Sequence, residues 1–118
     1  MINLRRAVEL MPDSMNLLRE VVGICIQLGR SNEAVQYQVV IARYYFDTHQ
    51  VKEAVAALQQ LITIDRNNYE AYDLLGQTYQ SVGEYEQASR VYRNLARVSP
   101  ENAIARERLA TLQELRTR

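Results

Sequence analysis

The sequence predicts an all-α protein, a solenoid of antiparallel helix hairpins with about seven helices. Three observations carry this expectation. Apolar residues recur at spacings of three and four rather than in alternation. Only two prolines, Pro12 and Pro100, interrupt 118 residues, and the remaining breaks are short clusters of turn and cap formers. The chain also resembles itself when shifted by thirty-four residues, the mark of stacked supersecondary units.

The elements follow from the breaks. A first short helix, INLRRAVEL, ends at MPDS (11–14), and a second spans 15–28 up to LGRSN (28–32). A third covers about 31–48 and stops at THQ (48–50), and a fourth runs to DRNN (65–68). The fifth starts at Tyr69 and ends at SVGE (81–84), the sixth runs to SPEN (99–102), and the seventh covers 103–116. Helices of this length are marginal alone, so neighbours must stabilise them. Loops this short make successive helices antiparallel.

The thirty-four-residue shift aligns Ile41-Ala42 with Leu75-Gly76 and Leu109-Ala110, Tyr45 with Tyr79, Ala54 with Ala88, and Leu58 with Tyr92. Large residues meet large and small meet small, so the shift preserves a packing geometry. Gly76, in mid-helix, costs roughly 1 kcal/mol relative to alanine and therefore marks a close approach. As its counterparts are Ala42 and Ala110, alanine is expected to be tolerated there and leucine is not. Gly83 is expected to end its helix at positive φ.

Tyr72, Leu75-Gly76, Tyr79, Gly83, Ala88, Tyr92 and Pro100 occur in the order and spacing of the tetratricopeptide repeat, which this chain resembles. The resemblance implies an α-α superhelix. The stretch 69–102 matches nearly throughout. The stretch 35–68 keeps Ala42, Tyr45, Ala54 and Leu58 but carries His49 for the turn glycine and Arg66 for the closing proline. Residues 103–116 read as a capping helix. Residues 1–34 read as an irregular or partial unit, all within one domain spanning 1–118. Ala34 and Ala54 lie only twenty residues apart, so the helix 31–48 is expected to close one unit and open the next. The opening AVELMPDS resembles the end of a further unit, which suggests a piece of a longer protein.

Composition excludes several functions. Fourteen basic residues balance fourteen acidic ones, so no overall field draws the chain to nucleic acid or an anionic membrane. No apolar run approaches a membrane span, and no secretion signal is visible. Cys25, the single cysteine, fits a reducing, cytoplasmic setting and reads as core. His49 reads as a turn residue, and most of the eight tyrosines as packing. No phosphate loop, HExxH helix or GxSxG turn occurs, so no catalytic residue, metal or cofactor is expected.

Local charge gives the clue to a partner. Glu70, Asp73, Gln77 and Gln80 recur at three and four spacings beside the core stripe of the fifth helix, with Arg43 reached from the preceding unit. In the resembled family this stripe lines the concave groove, so these five residues form the expected partner-binding groove. Asp73 and Gln77 stand where one subset of the family holds a peptide carboxylate with lysine and asparagine. An aspartate there would repel that carboxylate, so a basic or neutral peptide is the expected ligand. Asp73→Lys is expected to weaken binding at nearly unchanged melting temperature. Arg90, Arg93 and Arg97 read as solubilising residues of the convex side.

The expected function is thus a protein-interaction or scaffold module, not an enzyme. Nucleic-acid binding through Arg90 to Arg118 is one alternative, and a structural or regulatory segment of a larger enzyme or regulator is another. The Val21, Val22, Cys25 side of helix 15–28 is expected to be incompletely covered, to be closed by a second copy as a homodimer or by the folded-back first helix.

Overall fold

A computed structural model of the chain describes residues 14–117 and contains six α-helices over that range: α1 (Ser14–Gln27), α2 (Ser31–Asp47), α3 (Val51–Ile64), α4 (Tyr69–Ser81), α5 (Tyr85–Val98) and α6 (Ala103–Thr117). Their limits fall at the breaks read from the sequence. The expected first helix, in residues 1–10, lies outside the described residues.

Two kinds of connection join the helices. The first kind is a three-residue turn closed by the same pair of backbone bonds each time. Arg30 N–H reaches Cys25 C=O at 2.8 Å, Gln50 reaches Tyr45 at 3.0 Å and Glu84 reaches Tyr79 at 2.9 Å, while Gly29, His49 and Gly83 each bond back three residues. This is the Schellman closure, which needs a residue at positive φ. Gly29 (74°), His49 (58°) and Gly83 (80°) supply it. The residue that closes the turn also opens the next helix, its carbonyl accepting from Ala34, Ala54 or Ala88. All three alanines are fully buried, because helices joined this tightly cross close to the turn.

The second kind is wider. Asp65 N–H bonds Leu61 C=O and Asn68 bonds Asp65, and Ser99 and Asn102 repeat the pattern with Leu95 and Ser99. The Asn68 side chain then caps α4, accepting from Ala71 N–H at 3.2 Å. Turns of the first kind precede and follow α2, whereas the two kinds alternate from α3 onward.

The main packing is between helices adjacent in sequence, and the molecule is elongated, 48 × 27 × 18 Å. Every helix buries a stripe at three and four spacings, such as Ala34, Gln38, Ile41, Ala42 and Tyr45 on α2 and Ala88, Val91, Tyr92 and Leu95 on α5. Gln38 occupies the place of Tyr72 one unit earlier, and its buried amide donates to the Ala57 carbonyl of α3 at 2.9 Å. That bond offsets the cost of burying a polar group. Arg19 ties α1 to α2, its guanidinium bonding the Tyr45 hydroxyl at 2.6 Å and lying over the ring. On α6, Ala105 and Leu112 are buried but Ala110 is exposed. The counterparts Ala42 and Gly76 are covered by the helix that follows them, and no described helix follows α6.

Side-chain links show which helices stand side by side. Arg43 of α2 pairs with Glu70 of α4, and Arg108 of α6 pairs with Asp73 of α4. These three helices form one layer, and α3 and α5 form the other.

Candidate functional site

The polar stripe of α4 lies in the first layer, with α2 and α6 to either side. Its residues are placed by the same helical spacing that buries Tyr72, Leu75 and Gly76 on the adjoining stripe. Arg43, one turn before the end of α2, is exposed and bonds Glu70 in the first turn of α4. Glu70 is exposed as well, so the pair is worth at most about 1 kcal/mol. Gln80 lies half-buried in the last turn of α4.

Asp73 is different. Its side chain is only 19% exposed, and both carboxylate oxygens are engaged. Gln77 Nε2 donates to Oδ2 at 3.0 Å. On Oδ1 converge the Tyr92 hydroxyl of α5 at 2.8 Å and Arg108 Nε of α6 at 3.2 Å. Asp73 therefore joins three helices. The Tyr92 ring is fully buried, and its hydroxyl proton is held well above the usual tyrosine range, first by burial and then by the hydrogen bond to the Asp73 carboxylate.

Two expectations are corrected by this arrangement. Asp73→Lys cannot leave stability nearly unchanged, because it takes the carboxylate from the Tyr92 hydroxyl, leaving it only the backbone carbonyl of residue 73 at 3.1 Å, and sets an ammonium beside Arg108. A loss on the order of 2 kcal/mol is expected from hydrogen bonding alone, readable as a lower melting temperature. Alanine at Gly76 is not the harmless change that Ala42 suggests. A Cβ there would lie 2.4 Å from two ring carbons of Tyr92 and 2.7 Å from its hydroxyl. The counterpart of Tyr92 one unit earlier is Leu58, which has no ring to accommodate, so Ala42 is allowed where Gly76 is required. The roles of Tyr92 and Arg108 toward Asp73 were not legible from the α4 stripe. The paired changes from Ala42 to Gly76 and from Leu58 to Tyr92 were the available signal for the first.

The expected cover of Cys25 is also revised. Val22 and Cys25 are buried, and Val21 is half-buried. The exposed apolar residues there are instead Leu17, Ile24 and Ile26 on α1 and Leu28 in the turn that follows it. Among the described residues no His, Cys, Asp and Glu cluster has the form of a metal site. No helix there is long and apolar enough to cross a membrane.

Comparison with known proteins agrees with this architecture. A family model of the tetratricopeptide repeat matches residues 45–113. No curated protein sequence matches. Among solved structures, the first tetratricopeptide domain of Spaghetti (RPAP3), bound to the HSP90 peptide SRMEEVD, has a TM-score of 0.60 at 18% identity, covering 90% of this chain and 95% of that one. MamA gives a TM-score of 0.62 at 19% identity over 95% of this chain and 74% of that one. The Arabidopsis OM64 tetratricopeptide domain gives 0.54 at 19% identity over 86% and 96%. Such identities speak for the fold alone. With the turns, the thirty-four-residue period and the family match in agreement, the chain belongs to the tetratricopeptide repeat family.

Proposed function

We propose that the chain is a protein-interaction module, without catalysis of its own, that holds a peptide or protein segment in the concave groove of its first layer, formed by α2, α4 and α6. Arg43, Glu70, Asp73, Gln77 and Gln80 line that groove in this reading. Asp73 and Gln77 shape its floor, being bonded to each other, while Arg43, Glu70 and Gln80 meet the partner. The observation that carries the proposal is the set of polar links across this layer, Arg43 to Glu70 and Asp73 to Arg108. They hold three polar helix faces side by side.

The ligand is a basic or neutral segment. Both arginines of the layer named above are already matched by carboxylates, and the exposed Glu107 of α6 stands thirty-four residues beyond Asp73. An added carboxylate would have to compete for Arg43 and Arg108 with the acids they already hold. The units are 35–68 and 69–102, with α6 as the cap and α2 shared with the irregular first part. The setting is cytoplasmic, in keeping with a single, buried, free cysteine. The apolar stripe of Leu17, Val21 and Ile24 on α1, continued by Leu28 in the following turn, pairs with that of a second copy, giving a homodimer.

Three of the arginines on which the nucleic-acid alternative rests are already engaged within the fold. Arg93 pairs with Glu86, Arg108 with Asp73, and Arg106 bonds the Pro100 carbonyl.

A displayed library of random peptides selected on the whole chain tests the groove. The selected peptides are expected to be neutral or basic and to lose binding when Glu70→Arg and Gln80→Arg are combined, while the thermal melt stays within a few degrees of the parent. Peptides that bind both chains equally would remove this face from the proposal.

A further inference from the structure

A second concave surface lies in the other layer. A groove of about 730 Å³ runs between α3 and α5, floored by Tyr72, Leu75 and Tyr79 of α4. Its wall on α5 extends from Gln87 to Val98 with residues at three and four spacings, about 16 Å along the helix axis. Arg66, Arg90 and Arg97 line it, and none of its lining residues is acidic, although the chain as a whole is neutral. Glu86, one turn before Arg90, lies outside the lining and pairs with Arg93. Arg97 is braced by Asn94 Oδ1 at 3.0 Å. The influence of Arg66 reaches the floor, where it opposes the rise that burial imposes on the Tyr72 hydroxyl.

Guanidinium groups keep their charge at every accessible pH and match carboxylates in a planar fork. Gathered in one groove they focus a positive potential. Ile62, half-buried, and Val98, exposed, add apolar surface between them. We propose that this groove docks an acidic amphipathic helix of a partner protein, roughly three turns long, with its apolar side on Ile62 and Val98 and its carboxylates on Arg66, Arg90 and Arg97. Charge complementarity selects the occupant. The helical form follows from walls that are themselves two helices, which leave a straight trough for a third.

A peptide fits better than a nucleic acid because the tyrosines are not free to stack bases. Tyr72 is buried, with its hydroxyl donating to the Arg66 carbonyl at 3.2 Å. Tyr79 is half-buried, and its hydroxyl accepts from Gln59 at 3.3 Å. Arg90 and Arg97 thereby acquire a role beyond solubility, Arg93 does not line the groove, and the site is separate from the groove of the first layer.

A displayed library of helical peptides randomised on one face, selected on the whole chain, decides the matter. Enriched peptides are expected to carry Glu or Asp beside Leu or Ile and to bind more weakly as salt rises. Their affinity should fall about ten-fold or more on Arg90→Glu with Arg97→Glu, by a smaller factor on Arg90→Gln with Arg97→Gln, and not at all on Glu70→Arg with Gln80→Arg. Both arginines are exposed, so circular dichroism should show the charge-reversed chain folded. Selected peptides with no acidic bias, or equal affinity for the charge-reversed chain, would overturn the proposal. Binding of oligouridylate through the same arginines, tighter than any selected peptide, would overturn it in favour of a nucleic acid. Peptides sensitive only to the Glu70 and Gln80 changes would leave the first groove standing and sink this one.

Discussion

At the scale of single residues, Gly76, Tyr92 and Asp73 behave as one unit. The ring of Tyr92 occupies the space that a Cβ at Gly76 would need, and its hydroxyl is anchored on Asp73. Gly76→Ala should therefore destabilise by about 1–3 kcal/mol, the usual range for overpacking. Adding Tyr92→Leu reproduces the Ala42 and Leu58 pair of the preceding unit. The double variant should be more stable than the sum of the two single changes predicts, by about 1 kcal/mol or more in a denaturant double-mutant cycle. Strict additivity would show that the ring and the glycine do not compete for one space. The same tyrosine predicts an alkaline dependence. Its folded-state pKa lies above the ordinary value of 10.0, so above that pH the folded chain holds a proton that the unfolded chain has lost. The stabilisation is complete below about pH 10 and is lost as pH rises beyond it. Tyr92→Phe should flatten the fall in melting temperature between about pH 10 and 11, apart from the constant cost of the missing hydrogen bond.

Among the elements, the turns carry the architecture. Three Schellman closures repeat one backbone geometry with Gly29, His49 and Gly83 at the positive-φ position. Glycine adopts that conformation without penalty, whereas a side chain costs roughly 1–2 kcal/mol. Histidine is among the residues that tolerate it best. His49→Gly should thus raise stability by about 0.5–1 kcal/mol, read as a higher midpoint in urea at unchanged slope. A lower midpoint would mean that the exposed imidazole makes a contact worth more than the strain. The turn could be located in the sequence because THQ breaks the apolar pattern. That histidine takes the place of glycine followed from its place in the thirty-four-residue alignment, with Gly83 as its counterpart.

For the molecule as a whole, packing between sequential neighbours makes the stack nearly one-dimensional. Among the described residues, exposed large apolar side chains gather on α1 and at its C-terminal turn, where Leu17, Ile24 and Leu28 are 60%, 54% and 63% exposed. Paired across a two-fold axis, this stripe would give the proposed dimer. Light scattering over a range of concentrations should show mass rising from monomer to dimer, and Leu17→Glu with Leu28→Glu should hold the chain monomeric with its thermal melt preserved. A monomeric mass for the parent at all concentrations would sink the dimer. The two layers also differ in charge. In the α2, α4 and α6 layer Arg43 and Arg108 are matched by carboxylates, while the α3 and α5 groove gathers arginines without acids among its lining residues.

Helix limits, turn positions and the repeat were determined by the sequence alone, since periodicity, glycine placement and cap residues are local properties that each segment displays by itself. The stripe of Glu70, Asp73, Gln77 and Gln80 was legible for the same reason, as all four lie on one helix. Tertiary structure alone decided what those residues do in the fold. Asp73 looked like a surface acid until α5 and α6 brought Tyr92 and Arg108 against it from nineteen and thirty-five residues away. The arginine groove was equally hidden, because Arg66 and Arg97 come from different elements and meet only when α3 and α5 lie side by side over α4. Partners distant in the chain leave no trace in the pattern of either segment, and their meeting is fixed by how the helices stack.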